Sequence, residues 1–129
     1  MIYKGLFIPW DDMKMIEVRD FDDDSRDALA EAVFPGEPAG DFVISVSTFR
    51  HAETQLFYDD LGSYNQRAHI NTRAMKLWGY LAGRRDFTQY LYGDFFAIGL
   101  NRHDGETADV PARVRNFFAE ENIHLKTGD

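Results

Sequence analysis

Apolar and polar positions alternate most clearly over Phe42–Phe49, where Phe42, Ile44 and Val46 are offset from Val43, Ser45 and Ser47. A period of two is the mark of a pleated strand whose two faces meet different surroundings. Thr54–Tyr58 follows as its hairpin mate. The same alternation runs through Lys14–Arg19, with Ile16 and Val18 set against Met15, Glu17 and Arg19. Ile2–Pro9 carries Tyr3, Leu6, Phe7 and Ile8 and reads as a first strand, joined to the second through the turn at Asp11-Asp12. Phe87–Leu100 is a long β-prone stretch broken at Gly93-Asp94, which divides it into Thr88–Tyr92 and Asp94–Leu100. In the second half Phe96, Ile98 and Leu100 share one face. Phe95, Ala97 and Gly99 share the other, which is small enough for a helix to approach.

Helical spacing appears three times. Ser25–Val33 places Leu29 and Val33 four apart, with Asp24 or Ser25 able to cap its orphan amides. Asn71 or Thr72 caps a second helix to Leu81, whose Ala74, Leu77, Trp78 and Leu81 form one apolar stripe. Gly83 ends it. Val110, Val114, Phe117 and Phe118 define a third helix over Val110–Glu121, with Pro111 in its first turn. Asn101–Asp109 reads as a loop and 123–129 as a polar, frayed tail. The predicted order is β-β-α-β-β-α-β-β-α. Short turns between strands favour antiparallel pairing, and the helices need a sheet face to cover, so the expected fold is a two-layer α+β domain spanning 1–129.

Composition narrows the classes. The 129 residues hold 44% hydrophobic and 28% charged positions, which suits one folded domain. With no Cys, disulfides and thiolate metal sites are excluded. No apolar run reaches the roughly 18–20 residues of a membrane span. Met1–Trp10 is not a signal peptide, so the expected location is the cytoplasm.

The formal charge of −8 is unevenly placed. Residues 1–41 hold eleven acids and four bases, whereas 61–85 hold five bases and no acid. A net negative chain repels nucleic acid and anionic membrane, so nonspecific coating of either is not expected. The acidic third, with Asp20, Asp22, Asp23 and Asp24 beside the exposed Trp10, is the candidate surface for a partner protein. The basic segment is the alternative site. There Arg67, Asn71, Arg73, Lys76 and Arg84 offer guanidinium forks and amides suited to a nucleotide or other phosphate-bearing anion. Tyr90, Tyr92 and Phe95 suggest a homodimer through an aromatic edge strand.

Tests for catalysis return little. The His at 51, 69, 103 and 124 lack the spacing of a helical zinc pair, and Asp20–Asp24 lacks the glycine and terminal glutamate of a calcium loop. No nucleophile elbow or phosphate loop is present. A hydrolase using Asp94 or His69 as base is the third and least supported reading. No catalytic residue, metal ligand or cofactor is assigned.

Four features together resemble a family of small phage and actinobacterial proteins, the domain of unknown function 3846. These are the Tyr3–Pro9 strand followed by Met15–Val18, the Asp27–Val33 helix leading into Phe42–Phe49, the Asn71-x-Arg73-Ala74 opening of a helix, and Gly93-Asp94 introducing Phe95–Leu100. The likeness covers Ile2–Leu100. This chain differs in a longer Leu61–Ile70 loop and an added C-terminal helix. The resemblance implies a phage-type accessory protein without an assigned activity and directs attention to Asn71, Arg73 and Asp94; the acidic first third makes a host protein the expected partner of such a factor.

Overall fold

A computed structural model describes residues 1–22, 44–59, 69–84, 89–121 and 123–127. The predicted helix over 25–33 lies outside these residues, as do Asp23, Asp24 and Arg67. The fold is α+β with a mainly antiparallel sheet. Its described strands are β1 (Ile2–Ile8), β2 (Ile16–Asp22), β3 (Ile44–Phe49), β4 (Thr54–Asp59), β5 (Phe95–Leu100), β6 (Thr107–Ala108) and β7 (Leu125–Thr127). Two helices are described, α1 (Thr72–Leu81) and α2 (Ala112–Glu120).

The strand order is β3-β4-β5-β1-β2-β7, with β6 beside β5. Register follows the alternation of bulk. Leu6 faces Ala97 and Phe7 faces Phe96 across β1 and β5, while Leu56 and Phe57 face the same pair from β4. Even positions of β1 and odd positions of β5 therefore meet on one side. There Leu6, Ile8, Ile16, Val18, Leu56, Phe95 and Ala97 join Ala74 and Leu77 of α1 and Val114 and Phe118 of α2 in a single core. The α1 stripe predicted from spacing is the stripe that packs. Trp78 closes its flank, edge-on to Phe49 at 5.1 Å and to Tyr58 at 6.0 Å.

The opposite face is also buried. Phe7, Phe21, Phe96 and Ile98 cluster there with Tyr3 and Phe57, and Phe21 meets Phe96 edge-on at 5.6 Å. A two-layer domain would leave one face wet, so that expectation describes only the helix side. β5 is apolar at all six positions because both of its faces are covered.

Several expectations are corrected. Described residues 89–92 form no strand; Tyr92 makes one isolated bridge to Ile70. Phe95 lies in the core on a strand flanked by β4 and β1, so it belongs to no aromatic edge. Residues 101–109 contain β6. The tail contains β7, which runs parallel to β2 with Leu125 opposite Ile16, because Ile123 and Leu125 reach the core. Pro111 is the N-cap of α2 and precedes its first turn.

Gly99 shows what the small face of β5 admits. A Cβ there would lie 1.9 Å from the Asp109 carbonyl oxygen, so the segment entering α2, and not a helix, occupies that space. Its approach is fixed by reciprocal bonds to β1: Lys4 N–H donates to Asp109 Oδ1, and Val110 N–H donates to Lys4 O, both at 2.8 Å. No helix among the described residues is long and apolar enough to cross a membrane.

Candidate functional site

Three consecutive residues at the start of α1 reach back to the loop between β1 and β2. Asn71 is the N-cap, its side-chain oxygen accepting from Ala74 N–H at 2.9 Å. Its amide nitrogen donates to Ile8 O at 3.0 Å and to Gly93 O at 2.9 Å. Every polar atom of this fully buried side chain is thus engaged. Thr72 Oγ1 donates toward the Asp12 carboxylate, 3.3 Å from Oδ2. Arg73 then spans the loop. Its Nη1 donates to Lys14 O at 2.8 Å, and its Nη2 donates to Pro9 O at 2.7 Å and Asp11 O at 2.9 Å. Its Nε lies 3.4 Å from Asp12 Oδ1, an ion-pair distance without hydrogen-bond alignment.

Asp94 completes the clasp from the other side, accepting from Trp10 N–H at 2.9 Å. Within the loop, Lys14 N–H donates to Asp11 O and Met13 N–H donates to Asp11 Oδ1, both at 2.9 Å. The short Asp11 side chain forms a local turn of its own, while the Asp12 carboxylate faces Thr72 and Arg73. The electrostatics agree with the geometry. Burial lowers the Arg73 pKa below its ordinary value, while Asp12, Asp11 and Asp94 each oppose that shift.

The expected territories of acid and base therefore meet at Arg73. Its guanidinium serves carbonyls of the protein's own loop, and Asn71 does the same, so neither directs its donors to a ligand. Lys76 and Arg84 lie elsewhere, lining a groove between α1 and α2. Asp20 pairs with Lys4 at 2.9 Å, yet its side chain stays 65% exposed. Such an exposed pair holds the carboxylate only weakly. Asp22 closes β2 opposite Ile2.

What the clasp displays is apolar. Trp10 is exposed at its rim, stacked face to face on His69 at 3.8 Å. Met13 is 92% exposed and Met15 48%. Met13 escapes a sequence reading because a single apolar residue in a turn carries no periodicity, whereas the alternation of Lys14–Arg19 already sets Met15 on the outer face with Glu17 and Arg19. Beside them a charged ladder crosses the sheet edge. Arg19 covers the Phe7 ring at 3.8 Å and donates to Glu17 at 2.7 Å, while Lys126 of β7 lies 3.3 Å from Glu17. Burial raises the Glu17 pKa, but Arg19 and Lys126 outweigh it and hold the carboxyl below its ordinary value. No group of His, Cys, Asp and Glu suited to a metal ion occurs among the described residues.

No family model matches the chain, and no curated protein matches it. Among solved structures, the crystal structure of small RNA methyltransferase HEN1 is similar, with a TM-score of 0.56 and 18% identity. The match covers 88% of this chain and 15% of that one. At this identity the likeness concerns the backbone fold.

Proposed function

We propose that this chain is a non-enzymatic binding protein that presents its Pro9–Met15 loop to a partner protein. The observation that carries the reading is Arg73, a buried cation bonded to three carbonyls of a loop whose Trp10, Met13 and Met15 side chains point outward. A loop held in one conformation loses little entropy on binding, and exposed Trp and Met are effective anchors. Asp11 and Asp12 within the loop, together with the net charge of −8, favour a partner with a basic rim around an apolar pocket. Asp20 and Asp22 at the far end of β2 extend the acidic surface. The resemblance to the domain of unknown function 3846 supports a phage-type accessory role, with a host protein as the partner in the host cytoplasm.

The test is affinity capture from host lysate by the wild type, Met13→Glu and Trp10→Ala, at low and high salt. Met13 is almost fully exposed, so its replacement leaves the fold intact. The expected outcome is a protein held by the wild type, lost from both variants and released by salt. A protein retained equally by Met13→Glu, or no captured protein at all, overturns the reading.

A further inference from the structure

Lys76, Tyr80 and Arg84 recur every four residues. In a helix that spacing stacks side chains on one face at intervals of roughly 6 Å. α1 ends at Leu81, but its termination keeps Arg84 beside the helix. Gly83, at φ +68°, donates to Tyr80 O at 3.2 Å, and Arg84 N–H donates to Gly79 O at 2.8 Å. This paired closure is the Schellman turn, for which a left-handed glycine is the usual residue.

α2 supplies the opposite wall. Phe117 stacks on Tyr80, with ring centroids 4.7 Å apart and an angle of 23° between planes. Between the helices lies a groove of about 750 Å³, lined by Met75, Lys76, Tyr80, Gly83, Arg84 and Phe117 among others. Tyr80 remains 47% exposed despite its stack. Gly79 also lines the groove, three residues after Lys76, and leaves that turn of the wall without a side chain. A glycine inside a helix is destabilising relative to alanine, which calls for a reason in packing or function.

We infer that this groove binds a planar aromatic anion of mononucleotide size, its ring against Tyr80 and its phosphate between Lys76 and Arg84. The volume lies within the range of small-molecule sites, roughly 300–1,000 Å³. An aromatic face flanked by two cations matches a ligand that joins a flat ring to a phosphate. Among the described residues of the lining, Glu121 is the acidic one. Its carboxylate lies 3.8 Å from Lys76 Nζ, with both side chains about half exposed, so the pair is weak and Lys76 can turn to a ligand. Arg84 carries five donors and can serve a phosphate alongside a protein contact. The site shares no residue with the Pro9–Met15 loop, and the two readings stand or fall separately.

The experiment is an NMR titration of the full chain with AMP, GMP, inorganic phosphate and a short oligoadenylate. The variants are Lys76→Gln, Tyr80→Leu and Tyr80→Phe, with thermal unfolding as the fold control. Saturable shifts at Tyr80, Lys76 and Arg84 with AMP or GMP are expected. Affinity should fall at least about tenfold in Lys76→Gln and Tyr80→Leu and be retained in Tyr80→Phe, which keeps the ring. Met13→Glu should bind as the wild type does. Absence of saturable shifts at about 5 mM nucleotide overturns the inference. So does phosphate binding as well as AMP, and so does tighter binding of oligoadenylate, which would assign the groove to a strand.

Discussion

Arg73 on α1 donates to the carbonyl of Pro9 just beyond β1, 2.7 Å away and 64 residues earlier in the chain. That contact and its neighbours turn the start of a helix into the support of a distant hairpin loop. Asn71, Arg73 and Asp94 are three residues that stand out in the sequence. They converge on the segment from Ile8 to Lys14, and their shared task is to hold it.

Arg73→Lys tests the clasp. An ammonium is a compact charge that cannot reproduce a guanidinium fork over three carbonyls. All three of those bonds are buried or half-buried, so each one lost leaves a carbonyl without its donor. The expected cost is about 2–4 kcal/mol in urea denaturation, with a change in Trp10 fluorescence in the folded state. A cost below about 0.5 kcal/mol would mean that water replaces the guanidinium freely and that the loop needs no such support.

Asn71→Asp separates a helix cap from a loop anchor. Asp and Asn cap helices equally well, so a residue that only caps would tolerate the change. Here the substitution keeps the acceptor for Ala74 but replaces two donations, to Ile8 O and Gly93 O, with a carboxylate oxygen facing carbonyls. We expect a loss of about 2 kcal/mol or more, comparable to Asn71→Ala. Equal stability of Asp and Asn at this position would reduce the role of Asn71 to its cap.

Glu17 gives the protein an acid-sensitive edge. Its folded pKa lies below its ordinary value of 4.5, held there by Arg19 and Lys126 against the effect of burial. A carboxyl depressed in the folded state stabilises above its unfolded pKa, and that contribution fades as pH falls through the folded value. The stability gap between wild type and Glu17→Gln should therefore be full near neutrality and shrink below about pH 4.5. Urea midpoints taken from about pH 7 down to 3 measure it. A gap that stays constant over that range would show that the carboxyl's charge contributes nothing.

Two glycines make opposite demands on a methyl group. At Gly83 an added Cβ meets nothing within 4 Å, so Gly83→Ala should cost only the left-handed backbone, about 1–2 kcal/mol. At Gly99 the Cβ would collide with backbone at Asp109, and β5 must part from the segment entering α2. Gly99→Ala should destabilise more than Gly83→Ala, by overpacking worth about 1–3 kcal/mol or more. Thermal unfolding of the two variants side by side decides it, and the reverse ranking would contradict the close approach at Gly99.

Local signals in the sequence were reliable where the interaction itself is local. The Asn71 cap joins residues three apart, the Gly83 closure joins residues three and five apart at the helix end, and the α1 stripe repeats within ten residues. The alternation of Ile16 and Val18 with Glu17 and Arg19 specified which face of β2 enters the core. The expected strand Thr88–Tyr92 misled over its described residues 89–92, because β-prone residues form a strand only where a neighbour offers a free edge, and here Tyr92 finds a single bridge. The C-terminal tail misled in the other direction. Three residues carry too weak a pattern to announce a strand, and β2 supplies the pairing that makes β7.

The sequence by itself determined the alphabet of this protein: which segments extend, which coil, where a helix is capped and closed, and that the chain is acidic. Only the tertiary structure decided where Arg73 and Lys76 are placed. The two differ by three positions on one basic helix and look alike as charges. One faces the sheet and is spent on carbonyls 59 to 64 residues away, while the other faces α2 and lines an open groove. Side-chain chemistry is written locally, but the direction in which a side chain points is set by contacts between elements far apart in the chain.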